Sequence, residues 1–446
     1  MFITFRLQRF AKAEHFKTLN PPKFPAVCLS AIRHKGFVGA MSKALDKLEL
    51  LEDEKNVKKE ALNVKVRKMN EYKGQLKRRK WVEYKTDEAR DEEVAKKRAA
   101  FDPADRVKRK KTAILLGYSG ANYFGMQRNP GMATIEEELF KAMLKHKWIT
   151  DDGFEQSQTA NFQRAARTDK GVSAARQVCS IKLPEELNIE ALNADLPEQI
   201  RLFGAERVTK GFNAKDQCNA RTYTYTLPTI AFASIEDTYN FVDYRIGSET
   251  LKKVQEVLKI YEGTKNFHNF TSRKNFLDPS AKRFIMSFEC SEPFISPQGI
   301  EFTTLKVKGQ SFMLHQIRKM VGLVMAIVRG NTTRATLERA FTEERLDLPM
   351  APGLGLVLDT VHYERYNDRY GNDGIHKPLT WLAQEETIKE FIEKYIFANI
   401  YKTEHEELSL LNWMETLSLH SYEARKEDAA TDKQNSSLKD DDDNEE

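Results

Sequence analysis

The sequence predicts an α+β fold in which two units share one β-sheet. Three observations carry that reading. The elements run strand, helix, strand, and then strand, helix, strand, strand, helix, strand. There is no regular βαβ alternation with glycine fingerprints, which disfavours a doubly wound nucleotide fold. At 446 residues and 40% hydrophobic content, the chain is too long for one small core.

The elements follow in order. Residues 42–106 are charge-dense with thin apolar spacing, so they predict fragments of helix and no packed domain. The globular part begins near Lys111. Lys111 to Tyr118 reads as a strand ending in the turn GYSGANYFG. Thr134 with Glu137 three residues later forms a capping box, and Ile135, Leu139, Ala142 and Met143 continue at helical spacing. Gln177 to Leu183 reads as a strand after a loop rich in Arg, Thr, Asp, Lys and Gly. Arg221 to Pro228 alternates strictly, with Tyr223, Tyr225 and Leu227 on one face and three Thr on the other. An amphipathic helix spans 249–262 through Leu251, Val254, Leu258 and Tyr261, closed by Gly263. Strands follow at about 282–290 and 300–308. Phe312 to Arg329 reads as a long apolar helix stopped by Gly330, then come a short helix at 334–342 and a strand at 356–363. Two more helices are expected at 384–399 and 403–419.

Charge is unevenly spread. Charged residues make up 31% of the chain and the net charge is only +5, yet Lys and Arg crowd the first third while the chain ends KDDDDNEE. Segregation of this kind is common in nucleic-acid proteins with solvated tails. Residues 1–40 are basic, acid-poor and amphipathic, the composition of a mitochondrial presequence. Initiation at Met41 would yield a form without it, and the basic clusters Lys77 to Lys80 and Lys108 to Lys111 could then serve as nuclear signals or meet RNA phosphates. The four cysteines form no CxxC pair and no zinc-finger spacing, so neither a disulfide framework nor a metal site is expected, and they read as reduced thiols of an intracellular protein. No apolar run is long enough to span a membrane. The expected organisation is a presequence (1–40), a charged extension (41–107), two globular halves (108–217 and 218–367), a helical extension (368–420) and an acidic tail (421–446).

Three segments carry candidate chemistry. RTDKGVSA, 167–174, places Asp169 among Arg164, Arg167 and Lys170 in a loop closed by Gly171. Nearby cations favour an ionised carboxylate and also attract a phosphate backbone; an ordinary salt-bridged surface loop is the plain alternative. Tyr223 and Tyr225 on one strand face could stack on an unstacked base or pack in the core. On the apolar stripe of Leu314, Val321, Gly322 and Met325, Arg318 either snorkels to water or finds an anion, and Gly322 allows close approach by another backbone or a ligand. Gly120 to Gly125 has the glycine spacing of a phosphate-binding loop, but Met126 stands where Lys is required.

Together these segments resemble TruA-type tRNA pseudouridine synthases, in the form carried by the eukaryotic pseudouridine synthase 1 branch. RTDKGVSA resembles that family's catalytic loop. GYSGANYFGMQ (117–127) resembles its first-strand motif, ARTYTY (220–225) its tyrosine strand, FMLHQIRKMVG its arginine helix and APGLGLVL (351–358) its closing strand. KNFHNFT (265–271) is similar to the eukaryotic branch. Bacterial members usually have His where this chain has Ser173 and Ala where it has Lys170. The resemblance runs from about Lys111 to Tyr363 with every motif in family order.

It implies two ferredoxin-like α/β halves joined in one mixed, mainly antiparallel sheet with flanking helices and an RNA-binding cleft. It implies isomerisation of tRNA uridines, with anticodon-stem sites the main targets and snRNA and mRNA as further substrates, in nucleus and mitochondrion, by a monomer or homodimer that needs no cofactor. Asp169 is then the catalytic carboxylate and Arg318 its ion-pair partner. Tyr223 stacks on the target uracil, with Tyr225 the fallback and Leu356 the far apolar wall. Arg167 steers the backbone, and Thr168, Lys170 and His315 complete the RNA-binding set. The rival readings are a non-catalytic RNA-binding protein on the same fold and a metal-dependent nuclease; the latter needs clustered carboxylates, and none accompany Asp169 in its loop.

Overall fold

The computed structural model describes residues 107–235, 241–272 and 274–424. The presequence, Met41, the cluster at 77–80, almost all of the charged extension and most of the acidic tail lie outside the described residues. The first half comprises β1 (Lys110–Tyr118), α1 (Ile135–Lys145), α2 (Asp151–Glu155), β2 (Gln163–Arg164), β3 (Ser173–Leu183), α3 (Ile189–Asp195) and β4 (Ile200–Arg207). The second comprises β5 (Ala220–Pro228), α4 (Ser248–Lys259), β6 (Gly263–Asn266), β7 (Lys282–Cys290), β8 (Phe294–Ile295), β9 (Glu301–Gly309), α5 (Gln316–Arg329), α6 (Arg334–Arg339) and β10 (Leu356–His362). An extension follows: α7 (Glu364–Tyr370), α8 (Glu385–Phe391), a π-helical turn over Ile392–Phe397, α9 (Ala398–Glu407) and α10 (Ser409–Met414).

The strands form one sheet in the order β4-β1-β3-β10-β5-β9-β7-β6, with β2 on β3 and β8 on β9. One parallel contact joins the halves: β10 meets β3 through Val357 against Ser173 and Leu358 against Ala174. The other pairings among the described residues are antiparallel. The mixed, mainly antiparallel α+β sheet expected from the sequence is therefore present. Its centre is the strand that comes last in the second half, so both halves must be made before the sheet closes.

Period-2 alternation sorts the two faces. Tyr223, Tyr225, Leu305, Val307, Ile285 and Phe288 share one core with Val254 and Leu258 of α4 and Val321 and Val324 of α5. On the opposite face Ala175, Val357 and Phe302 pack against Phe391, Ile396, Ile400 and Tyr401 of the C-terminal extension. That extension thus covers the outer side of the seam between the halves.

Several elements differ from the sequence expectation, each for a local reason. The arginine helix starts at Gln316, not Phe312, because His315 takes a left-handed conformation with φ 63°. The helix expected to break after 399 runs on to Glu407, and the break falls at Leu408, φ 50°. Edge strand β4 was not foreseen; its pairing with β1 is long-range and leaves little local periodicity. Thr134 Oγ1 accepts from Glu137 N at 3.4 Å, but the Glu137 carboxylate takes Arg128 Nε at 2.6 Å, so only half of the capping box forms. The basic cluster 108–111 is largely consumed by the fold. Arg109 Nε donates to Trp148 O, Lys110 pairs with Glu185, and buried Lys111 donates to Asn161 O at 2.6 Å. Burial, then the nearby Lys182 charge, lowers the Lys111 pKa to about 8.

Candidate active site

The Asp169 loop is held by a set of hydrogen bonds, most of them neutral and one pair from a guanidinium. At its start, Ala166 N donates to Gln177 Oε1 and Gln177 Nε2 returns a bond of 2.8 Å to Ala166 O. Arg221, on β5, donates to Ala165 O from Nε at 3.1 Å and from Nη2 at 2.7 Å. Thr168 Oγ1 and Tyr118 OH share a buried bond of 2.8 Å. At its end, Val172 N donates to Asp169 O and Gly171, φ 76°, donates to Tyr123 O. The turn after β1 lies directly against this loop, with Met126 N donating to Thr168 O at 3.2 Å. Gly125 has φ 95°, and a Cβ there would stand 2.7 Å from Thr168 O, so a side chain is barred twice over.

The turn before α5 approaches this loop. The left-handed backbone at His315 costs about 1–3 kcal/mol for a residue other than glycine. It persists because the turn is pinned: Thr271 Oγ1 donates to Leu314 O at 2.9 Å, and Met313 N donates to Gln316 Oε1 at 2.8 Å. The His315 ring reaches Asp169, with Nε2 3.8 Å from Oδ2 and both side chains about a quarter exposed. Burial lowers the His315 pKa, with Arg318 and Lys319 adding to the effect and Asp169 opposing it. A neutral ring at that distance makes a charge–dipole contact and not an ion pair or a hydrogen bond.

Arg318 does not pair with Asp169 as expected. Its Nε donates to Ala351 O at 2.7 Å and Ala351 N donates back to Arg318 O at 3.1 Å, which ties the guanidinium to the segment before β10. It nevertheless borders the loop: a Cβ on Gly353 would lie 4.0 Å from Arg318 Cζ and 3.3 Å from Lys170 O. Gly322 admits the Pro349 backbone, where a Cβ would stand 2.6 Å from the carbonyl oxygen.

The tyrosine strand separates two roles that the sequence left open. Tyr223 packs edge-on to Phe312, with centroids 5.3 Å apart. Its hydroxyl pKa is pushed up to about 12 by burial, with the Arg221 charge opposing and the Asp169 charge reinforcing. Tyr225 is a core residue whose hydroxyl donates to Pro352 O at 2.9 Å. Leu356 pairs with Tyr225 in register and is buried on the same face as Tyr223.

The remaining expected residues divide. Arg167 and Lys170 are exposed beside Asp169. Thr168 faces the core, where its hydroxyl is spent on Tyr118, so it supports the loop and offers nothing to a ligand. Arg164 turns away to the buried Glu136 and stacks on Phe162 at 5.1 Å, leaving Asp169 without it. Sequence reasoning missed Tyr118, Gln177 and Arg221 as supports. Strand alternation placed Arg221 on the Tyr223 face, which was the available signal. Cavities of about 330 and 240 Å³ open elsewhere and share no lining residue with this cleft. Among the described residues no three His, Cys, Asp or Glu side chains gather to hold a metal.

Comparison with known proteins gives a consistent result. The tRNA pseudouridine synthase family model matches residues 257–364. The chain is 48% identical over 326 residues to the Pseudouridylate synthase 1 homolog of Mus musculus, covering 72% of this chain and 77% of that protein. It is 49% identical over 316 residues to the homolog in Homo sapiens, covering 70% and 74%. Similarity to the tRNA pseudouridine synthase 1 of Yarrowia lipolytica is 34% over 390 residues, covering 68% and 73%.

Proposed function

The chain belongs to the tRNA pseudouridine synthase family, and from that premise we propose that it isomerises uridine in tRNA with Asp169 as the catalytic carboxylate. The observation that carries the residue assignment is the clamped loop: hydrogen bonds from Tyr118, Gln177 and Arg221 hold the segment whose Asp169 carboxylate, about a quarter exposed, lies opposite His315.

In the reaction the N1–C1′ bond of the target nucleotide breaks, the uracil turns, and a C5–C1′ bond forms. The C5 proton leaves and N1 ends protonated, so atoms balance without oxidant or energy source. Two routes fit an ionised Asp169: addition to base or sugar as a nucleophile, or removal of a sugar proton as a base. Either requires the nucleotide out of its stack, with Tyr223 and Leu356 forming the ring's two sides. Arg167 and Lys170 meet the backbone phosphates. Arg318 borders the loop through Gly353, and catalytic contacts often tighten only when substrate fills the site.

Tritium release from tRNA labelled at uridine C5 tests the proposal. Wild type should release tritium in chelator and Asp169→Asn should not, although it still binds the tRNA. Binding without release by wild type would favour the non-catalytic RNA-binding reading. The finer targets are anticodon-stem uridines, with snRNA and mRNA as further substrates. Pseudouridine mapping in cells lacking the gene, rescued by wild type or Asp169→Asn, identifies them. The location proposed is mitochondrion and nucleus, on the strength of the presequence-like composition of residues 1–40 and the cluster at 77–80; removal of Met1 or Met41 as a start should leave one compartment each.

A further inference from the structure

Beside the catalytic loop the protein displays an aromatic ring that no role above uses. Phe124 is 49% exposed, although large aromatic side chains are usually covered. Its backbone is fixed: Phe124 N donates to Ala133 O at 2.8 Å, and the flanking Tyr123 O and Met126 N, the latter two residues on, bond to the Asp169 loop. The Lys170 ammonium, on the residue after Asp169, lies 4.7 Å from the ring centroid. Leu314, next to His315, is likewise exposed, at 55%. A flat, half-exposed ring with a phosphate-seeking cation over it thus lies against the Asp169 loop.

We propose that Phe124 is a stacking platform for a nucleobase adjoining the target uridine, with Lys170 meeting that nucleotide's phosphate. The proposal rests on the synthase reading above. Pairing a ring with a cation matches the two parts of a nucleotide. Because the backbone is held before RNA arrives, stacking loses little conformational freedom. Every base has a π-face, so the platform contributes affinity and placement and does not select a base. It would hold the neighbouring nucleotide in the strand while the uridine swings out to Asp169.

The test uses full-length protein and an unmodified tRNA transcript that wild type modifies. Dissociation constants are measured in the Asp169→Asn background, and kcat and KM in the wild-type background. Phe124→Ala should raise Kd and KM about tenfold, the low end of stacking losses, with kcat within about twofold and the melting temperature unchanged. Phe124→Trp should restore both constants and Phe124→Leu should not, since stacking needs a ring. Wild-type Kd and KM for Phe124→Ala, a loss confined to kcat, or a rescue by Leu equal to that by Trp would each overturn the platform. Failure of the synthase reading shows separately, as turnover that survives Asp169→Asn.

Discussion

Two short segments meet at Asp169 and His315 and are held by opposite means. The Asp169 loop is fixed by hydrogen bonds from Tyr118 on β1, Gln177 on β3 and the Arg221 guanidinium on β5, and no backbone strain is needed except at glycine. The turn at 312–318 instead holds His315 in a conformation that costs energy, and its cation is tied to a carbonyl, not to an acid. One side places a reactive group; the other stores strain and leaves charge that can be redirected. Strain kept near a reacting centre and rigid placement of the reacting group are separate devices, and here each half of the sheet supplies one.

The largest test of this contrast is Asp169→Asn, which should lower turnover by at least about a thousandfold with tRNA affinity preserved. Residual turnover near wild type would remove the loop's distinction. Next comes Arg318→Lys. A single ammonium cannot both keep the Ala351 carbonyl and approach Asp169, so kcat should fall about a hundredfold, measured under single turnover. Tyr118→Phe deletes a buried bond to Thr168 and should cost about 1–2 kcal/mol in denaturant unfolding, because the Thr168 hydroxyl loses its partner. Thr168→Val should cost about the same, and the double variant little more than either alone.

His315 gives the smallest and sharpest effects. His315→Gly should hold or raise stability by up to about 1 kcal/mol, since glycine adopts the left-handed region freely, while activity drops. The pH dependence has a defined sign. Burial depresses the His315 pKa below 6.5, with Arg318 and Lys319 assisting and Asp169 opposing. Between 6.5 and the depressed value the unfolded chain binds a proton that the folded chain does not, so this stability is present above 6.5 and lost as pH falls. Wild type should therefore lose more unfolding free energy between pH 7.5 and 5.5 than His315→Gln; equal losses would make the ring electrostatically idle.

Much of this was legible in the chain itself. The strict alternation of Arg221-Thr-Tyr-Thr-Tyr fixed which tyrosines share a face, because side-chain period is a local property. The Asp169 segment stood out by its cations and glycine. Which neighbours serve it did not: Arg164 and Thr168 are as close in sequence as Arg167 and Lys170, and only the long-range positions of Glu136 and Tyr118 turn the first two away. Nor could periodicity show that the apolar run from Phe312 is interrupted by a left-handed residue at His315, since the pinning bond comes from Thr271, far back in the chain. Tyr223 and Tyr225 differ likewise in their tertiary neighbours, Phe312 and Pro352.

The convergence of the two segments on one nucleotide is tested most directly by a crystal structure of the Asp169→Asn protein bound to its tRNA. The account predicts a uridine turned out against Tyr223, with the Arg318 guanidinium within about 3 Å of the residue 169 side chain. A uridine left in its stack, or Arg318 still bound to Ala351 and apart from residue 169 with the site filled, would contradict it.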